Sequence, residues 1–410
     1  MTAVITGIGM ISSLGANRTS VWSNLSRGTA NMGKITSFDA SVYGLEQCVV
    51  AAVSDAELEG RINRLREQGI KTPKRGRFRQ LVLAAAAEAL QDAGLSQEVT
   101  KDGREVGIIL GTMAGGASET ERIAISTYEG KKPKVSDNIG KRPGVAIQDV
   151  GAAFGLQGPM FAVDAACASG ACALVQAWRM VESGAVSYCL AGGAEASLIP
   201  SSLKMVHALG VISDSFFLEP NSASRPFDRH REGYVPAEGA CMLVIEDETQ
   251  ARNRGRRPYA RVIGFAERTD FRHPTKTSVE FIFETMCRAL EAASAPTETI
   301  GWVNAHATST RVGDAIEAEA IHALFGNDVW TSAPKSLTGH LLGASGAFEA
   351  AFSALSLQDQ IIPPTVNLDN PDPACRVRCT RLRHPSAFTR VISNSWGFGG
   401  SGCCLVLEQC

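Results

Sequence analysis

No stretch of this sequence is apolar for long enough to cross a bilayer, which takes about 20 predominantly apolar residues; the best run, 81–87, is bounded by Arg79 and Glu88. No membrane-spanning helix and no membrane partner are therefore expected. The opening residues, MTAVITGIGMISSLG, lack the basic segment of a secretory signal and read as a strand running into a glycine turn, so a cytoplasmic protein is expected. Net charge is as scarce: 40 Lys+Arg against 42 Asp+Glu leave −2, and such a balance predicts no nucleic-acid or anionic-membrane partner. A metal-type cysteine repeat is missing too. The eleven cysteines are scattered; Cys189, Cys241, Cys403 and Cys404 lie in apolar runs, as buried thiols do, and Cys375 and Cys379 have no second pair nearby. Metal is expected nowhere. What the chain has in excess is glycine, 40 of 410 residues against about 7% in average usage. The length suits two or three ordinary domains or one large duplicated core.

Short apolar runs alternate with helical patterns along most of the chain. Residues 106–110, 161–163, 188–191 and 242–245 read as buried strands, and 81–90 as a helix ending at Gly94. After the charged stretch EDETQARNRGRRP come a strand (259–265), a helix (about 279–293), a strand (302–305), a further helix and a final strand (404–407). This order predicts an α/β fold with a largely parallel core sheet. Two halves of similar element order suggest duplication, although the sequence repeats too weakly to show it.

Four constellations can carry chemistry. In VDAACASGACALVQAW, Cys167 ends a strand-like run and opens a helix whose apolar face is Ala171, Leu174, Val175, Trp178 and Val181. A helix N-terminus lowers a thiol pKa, and small neighbours let backbone and substrate approach, as at a nucleophile elbow. The plain alternative is a small buried hydrophobe, which is the reading for Cys172. In WVNAHATSTRVGDAIEAEAI, His306 stands in a loop between strand and helix, the edge where open α/β sheets gather ligands. In APKSLTGHLLGASGAFEAAF, Lys335 and His340 flank a turn before another helix. A lone histidine in such a place is usually structural, and His207, His230, His273, His322 and His384 are so read. Two histidines and a cysteine, each at a strand-to-helix loop, point instead to proton transfer or carbonyl polarisation. In NSWGFGGSG, glycines at 397, 399, 400 and 402 suit a loop presenting N–H groups, as an oxyanion hole or a phosphate cradle. The missing Lys-Ser/Thr and following helix count against the cradle.

Taken in order, GIGMISSLG, DAACASG, AGGAEAS, RPFDRHREGYVPAEGA, NAHATSTRVGDAIEAEAI, PKSLTGHLLGASGA, PPTVNLDNPD and NSWGFGGSG resemble the β-ketoacyl-acyl carrier protein synthases that elongate acyl chains, over nearly the whole length. The resemblance implies an α/β thiolase-like fold, a duplicated five-layered α-β-α-β-α core. Its N-terminal half, 1–252, would carry the nucleophilic cysteine and its C-terminal half, 253–410, both histidines. It implies a decarboxylating Claisen condensation in fatty-acid or type II polyketide-like biosynthesis. An acyl thioester on Cys167 would condense with a malonyl group carried on the phosphopantetheine of an acyl carrier protein, with no cofactor of the enzyme's own. The N–H groups of Cys167 and Phe398 would form the oxyanion hole, and His306 and His340 would hold the malonyl thioester. Lys335, paired with Glu317, would orient the histidines, and Thr308 and Thr310 would bind pantetheine. Partners implied are the carrier protein and a second ketosynthase-like chain, in a homodimer or in a heterodimer with a chain-length factor.

The chain departs from the family pattern at Ala307, Trp396, Ser401-Gly402 and Cys241, which bears on the gate and the acyl pocket. Ala114 aligns with the bulkier residue that often floors that pocket, so Ala114 and Trp396 are expected to shape it, with a deeper cavity at Ala114. Lys71, Lys74, Arg75, Arg77 and Arg79 resemble in place and sign the family's carrier-protein patch, whose plain alternative is a solvated charged segment. Two other functions stay open: a thiolase or chain-initiating enzyme using coenzyme A thioesters, against which His340 argues, and a non-catalytic partner subunit, against which Cys167 argues.

Overall fold

The computed structural model describes residues 2–95, 105–273 and 277–410. Eleven strands form one mixed sheet: β1 (Ala3–Ser12), β2 (Val106–Gly111), β3 (Met160–Val163), β4 (Tyr188–Glu195), β5 (Gly239–Asp247), β6 (Ala260–Thr269), β7 (Trp302–Asn304), β8 (Trp330–Ser332), β9 (Arg378–Cys379), β10 (Arg390–Trp396) and β11 (Ser401–Glu408). Their spatial order is β9-β8-β7-β10-β11-β6-β1-β5-β4-β2-β3. The duplication that the sequence only suggests is written in this order. From β3 inward the first five strands run third, second, fourth, fifth, first; from β8 inward the later strands repeat that pattern, with short β9 added outside. Pairing sense repeats as well. The second strand of each repeat lies parallel to the third and fourth, and the fifth is antiparallel to the fourth and first. The repeats join through β1 and β6, paired only at Val4–Arg261 and Ile5–Ala260.

Continuous apolar runs such as VGIILG in β2 and YCLAGGAE in β4 are buried along their whole length, because helices cover both faces. Helix α1 (Arg77–Asp92) lies on β1 and β5, where an alanine-rich face and glycine in β1 bring helix and sheet close; a Cβ at Gly9 would meet the Ala85 carbonyl at 2.0 Å. Helices α2 (Ser169–Glu182) and α5 (Ser345–Asp359) pack on each other between the two half-sheets, while α3 (Val279–Ala292) and α4 (Arg311–Phe325) cover the outside of the second half. Layers of helix and sheet thus alternate about the central pair of helices, the thiolase-like α/β arrangement expected.

Two expectations change. The sheet is not largely parallel, since five of its ten strand pairings are antiparallel. The strand at 161–163 is not buried: β3 is the sheet's edge, with Phe161 40% exposed. The charged stretch after β5 forms a short helix, Glu248–Asn253.

Candidate active site

The loops before the two central helices bring the chemistry together. Between β3 and α2 the backbone turns sharply at Ala166, whose φ of 49° is a left-handed conformation costing a non-glycine residue about 1–2 kcal/mol. Ser169 holds the turn: its hydroxyl accepts from the Ala165 N–H at 2.8 Å and donates to the Ala166 carbonyl at 2.6 Å. Cys167 follows, as at a nucleophile elbow. At the same offset before α5 stands Leu342, also at φ 49°, so the duplication extends to this strained residue. His340 lies two residues earlier.

Here the imidazole of His340 meets the Cys167 sulfur. Its Nε2 is 3.2 Å from the Cys167 sulfur, and its Nδ1 is 3.0 Å from the Ser345 hydroxyl, a group able to donate or accept. His306, from the loop after β7, stands perpendicular to His340 with ring centroids 5.4 Å apart. Its Nδ1 is 3.2 Å from Lys335 Nζ. An ammonium only donates, so His306 Nδ1 accepts and its proton sits on Nε2. Lys335, Glu349, His306 and His340 are all buried.

The partner of Lys335 is not the one expected. Lys335 bonds closely to Glu349 on α5. Glu317 instead accepts the backbone N–H groups of His306 and Ala307, at 2.9 and 2.7 Å, together with the side chains of Asn394 and Trp396, at 3.1 and 3.0 Å. It sits on α4 behind the His306 loop and fixes that loop's backbone; Glu349 faces Lys335 across the central layer. Spacing from His306 cannot tell these two carboxylates apart.

Burial dominates the electrostatics. It pushes the Cys167 thiol up to about 12, against the Lys335 ammonium and the Phe398 N–H, so the thiolate expected from a helix N-terminus is outweighed. Burial, then Lys335, pushes both imidazoles well below their ordinary value, so His306 and His340 are neutral. Burial lifts Glu349 to about 7 although the Lys335 charge pulls it down. The site at rest therefore holds a thiol against a neutral imidazole.

One backbone N–H faces the sulfur. The Phe398 N–H bonds toward Cys167, while a Cβ on Gly397 would lie 3.0 Å from the Cys167 nitrogen, so glycine permits this approach. At Gly400, φ 77°, a Cβ would run into the Asp270 carbonyl at 1.8 Å. The Phe398 side chain is 44% exposed. Trp396 does not line the space beside Cys167. Strand alternation turns its ring to the other face of β10, against Phe281 and Glu317, in an apolar cluster with Ala305 and Ala307.

The apolar cluster that contains Cys167 is built from Leu45, Val50, Leu198, Leu203, Ile212, Tyr234 and Leu342, with Met113 packed against it. Met113, rather than its neighbour Ala114, reaches this cluster; Ala114 is half-buried, its N–H 3.3 Å from Glu195 Oε1. Glu195 also accepts from Thr112 Oγ1 at 3.1 Å and Met113 N at 2.5 Å, and burial lifts it to about 7. Thr308 and Thr310, half-buried beside His306, have hydroxyls 3.2 Å apart. Of the basic run that leads into α1, Arg77 and Arg79, in the helix's first turn, pair with Glu238 and Asp55 and with Asp149 respectively, leaving Lys71, Lys74 and Arg75 exposed. Among the described residues no group of three or more His, Cys, Asp or Glu could hold a metal, and no helix is long and apolar enough to cross a membrane. His207 faces Asp214 and His384 packs on Trp330, outside the cluster around Cys167.

Sequence reasoning passed over Glu349, Ser345 and Tyr234. A buried acid at an apolar helix position in GASGAFEAAF was the available signal for Glu349. Nothing comparable marks Ser345 or Tyr234, whose partners are fixed by packing.

Residues 2–251 match the family model described as beta-ketoacyl synthase, N-terminal domain, and 259–369 the corresponding C-terminal domain. Over 99% of its length the chain is 33% identical to a 3-oxoacyl-[acyl-carrier-protein] synthase 2 of Coxiella burnetii and 34% identical to one of Rhizobium meliloti, covering 98% of each. Among solved structures it resembles a ketosynthase bound to a hexaketide, from a type II polyketide synthase and in complex with its acyl-carrier protein, with a TM-score of 0.87 and 25% identity, covering 100% of this chain and 99% of that one. It also resembles the ishigamide ketosynthase/chain length factor and a beta-ketoacyl synthase from Burkholderia phymatum, each with a TM-score of 0.89, 28% identity and the same coverage.

Proposed function

Since the chain belongs to the beta-ketoacyl synthase family, we propose that Cys167, His306 and His340 carry out its decarboxylating condensation, with Lys335 and Glu349 setting the proton on His306. The reaction joins an acyl thioester to a malonyl group in fatty-acid or polyketide synthesis. The observation that carries the assignment is a neutral imidazole 3.2 Å from the Cys167 sulfur beside a second one held in a single tautomer by an ammonium.

In the first stage the Cys167 sulfur attacks the acyl thioester and His340 Nε2 takes its proton. The N–H groups of Cys167 and Phe398 receive the negative charge on the carbonyl oxygen. Collapse returns the proton to the leaving pantetheine thiol, giving acyl-Cys167. In the second stage the malonyl thioester oxygen accepts from Nε2–H of both histidines. His340 reaches this tautomer because the Ser345 hydroxyl can turn to donate to Nδ1. Carbon dioxide leaves, the histidines hold the enolate, and its carbon attacks acyl-Cys167; the Cys167 sulfur departs as thiolate and takes up one proton from solvent to restore the thiol. Neutral imidazoles suit this stage, since both must offer a proton without losing it.

The substrates ride on the phosphopantetheine of an acyl carrier protein, for which Thr308 and Thr310 are the contacts beside His306. Lys71, Lys74 and Arg75 form the reduced basic patch where that acidic partner docks. The exposed edge β3 is where a second ketosynthase-like chain joins, identical or a chain-length factor. The halves 1–252 and 253–410 contribute the nucleophile and the histidines respectively. Intact-mass analysis after incubation with acyl carrier protein loaded with octanoate should find one acyl adduct, lost in Cys167→Ala. No adduct on the parent, or an adduct that survives Cys167→Ala, would overturn the assignment.

A further inference from the structure

The apolar cluster around Cys167 includes one phenol. Tyr234 belongs to the same cluster as Cys167, Leu198, Leu203, Ile212 and Leu342, and is 6% exposed. Its ring meets the His340 imidazole edge to face, centroids 5.1 Å apart at 89°. Its backbone is anchored on both sides. Its N–H donates to the Val211 carbonyl at 2.8 Å, its carbonyl accepts from Ser213 at 3.0 Å, and the next residue's carbonyl accepts the His340 N–H at 2.8 Å. Nearby negative charge at the Cys167 sulfur, after burial, raises the phenol's pKa, so it is a neutral donor throughout the working range.

Among the described residues that hydroxyl has no hydrogen-bond partner, and its oxygen is not one of the fully enclosed unpaired atoms, so it keeps access to solvent. Packing a ligand over a tyrosine hydroxyl without pairing it forfeits the hydrogen bond it makes with water. Phenylalanine would fill the same space at no such cost. A polar atom held rigidly in an apolar wall beside the nucleophile is the arrangement by which a pocket fixes one feature of its ligand. We propose that Tyr234 is a specificity-determining residue whose phenol hydrogen-bonds an oxygen near the thioester end of the acyl chain on Cys167, so that the favoured substrates are oxygen-bearing acyl thioesters. This rests on the condensing role of Cys167. A saturated chain would bury the phenol unpaired, whereas a keto or hydroxyl oxygen would satisfy it, and sites built this way discriminate by the group left unmet.

The test compares acylation of Cys167 by carrier protein loaded with octanoyl, 3-oxooctanoyl or 3-hydroxyoctanoyl groups, in the parent and in Tyr234→Phe, as kcat/KM from intact-mass time courses. One neutral hydrogen bond corresponds to about a five- to tenfold preference for an oxygenated chain in the parent. In Tyr234→Phe that ratio should fall to near one. The two oxygenated arms tell a keto from a hydroxyl ligand. A parent with no preference for either, a preference that survives Tyr234→Phe, or equal slowing of all three donors, which would place the phenol on the sulfur, overturns the proposal. Absence of any adduct on the parent would instead defeat the condensing role and the proposal with it.

Discussion

Replacing Glu349 by Gln separates its role from that of Glu317. The perturbation leaves the Lys335 ammonium buried without its counter-charge, both side chains being 2% exposed. Removing one member of a buried pair costs about 3–5 kcal/mol. At about 2.1 cal/mol/K per residue, unfolding 410 residues carries an entropy of about 0.9 kcal/mol/K, so the melting temperature should fall by about 4–6 °C. The enzyme escapes part of that cost if Lys335 loses its proton. Neutral Nζ can then accept from His306 Nδ1–H, which removes the proton from Nε2 where the malonyl carbonyl needs it. Loss of one such donor is worth about 100- to 1,000-fold in rate. Carbon dioxide release from malonyl carrier protein should therefore drop by that factor, while acylation of Cys167, which relies on His340 and the two N–H groups, falls less than tenfold. In Glu317→Gln the Lys335 pair stays intact; that variant disturbs the His306 backbone through its 2.9 and 2.7 Å bonds. If Glu349→Gln melts within about 1 °C of the parent and decarboxylates within threefold of it, or if Glu317→Gln reproduces the Glu349→Gln split, the assignment of the pair is wrong.

Three further outcomes are expected. Glu195 carries a folded-state pKa of about 7 against an ordinary 4.5, so the folded form keeps a proton that the unfolded chain has released; its contribution to stability is full below about pH 4.5, is lost as pH rises toward 7, and amounts to on the order of 3 kcal/mol. Melting curves of Glu195→Gln should gain on the parent between pH 5 and pH 8, and a constant difference would contradict this. Ala114→Phe should shorten the acyl chains accepted in intact-mass competition among donors, and Met113→Ala should lengthen them, since Met113 packs on the Cys167 cluster; unchanged preference in both would remove the 112–114 loop from the pocket. Charge reversal at Lys74 and Arg75 should slow transfer from carrier protein in a salt-sensitive way while sparing a small thioester analogue. Equal loss with both donors would count against docking there.

Much of the site was legible because its chemistry sits at element ends. A cysteine and two histidines, each between a strand and a helix, are set apart by residue type and local pattern, and glycine marks the turns around them. The fold class was legible from continuous apolar runs spaced by helical periodicity. The expectation of a buried strand at 161–163 missed because an edge strand and a covered one share an apolar composition, and only the neighbours distinguish them. Trp396 was misplaced by its adjacency to the Gly397 turn; which face of β10 it takes depends on strand phase. Of the five cations from Lys71 to Arg79, Arg77 and Arg79 are neutralised by carboxylates at Asp55, Asp149 and Glu238, two of them far along the chain.

By itself the sequence singled out Cys167, the two histidines, Lys335 and the α/β class, since each stands out by residue type and local pattern. Only the tertiary structure decided that Lys335 pairs with Glu349, that Glu317 serves the His306 backbone, that Tyr234 stands against His340, and that Cys167 rests as a thiol. Those outcomes depend on which faces of distant helices meet and on how much water is removed from between them. Local spacing carries neither, because pairing across a core is set by packing and proton affinity by burial.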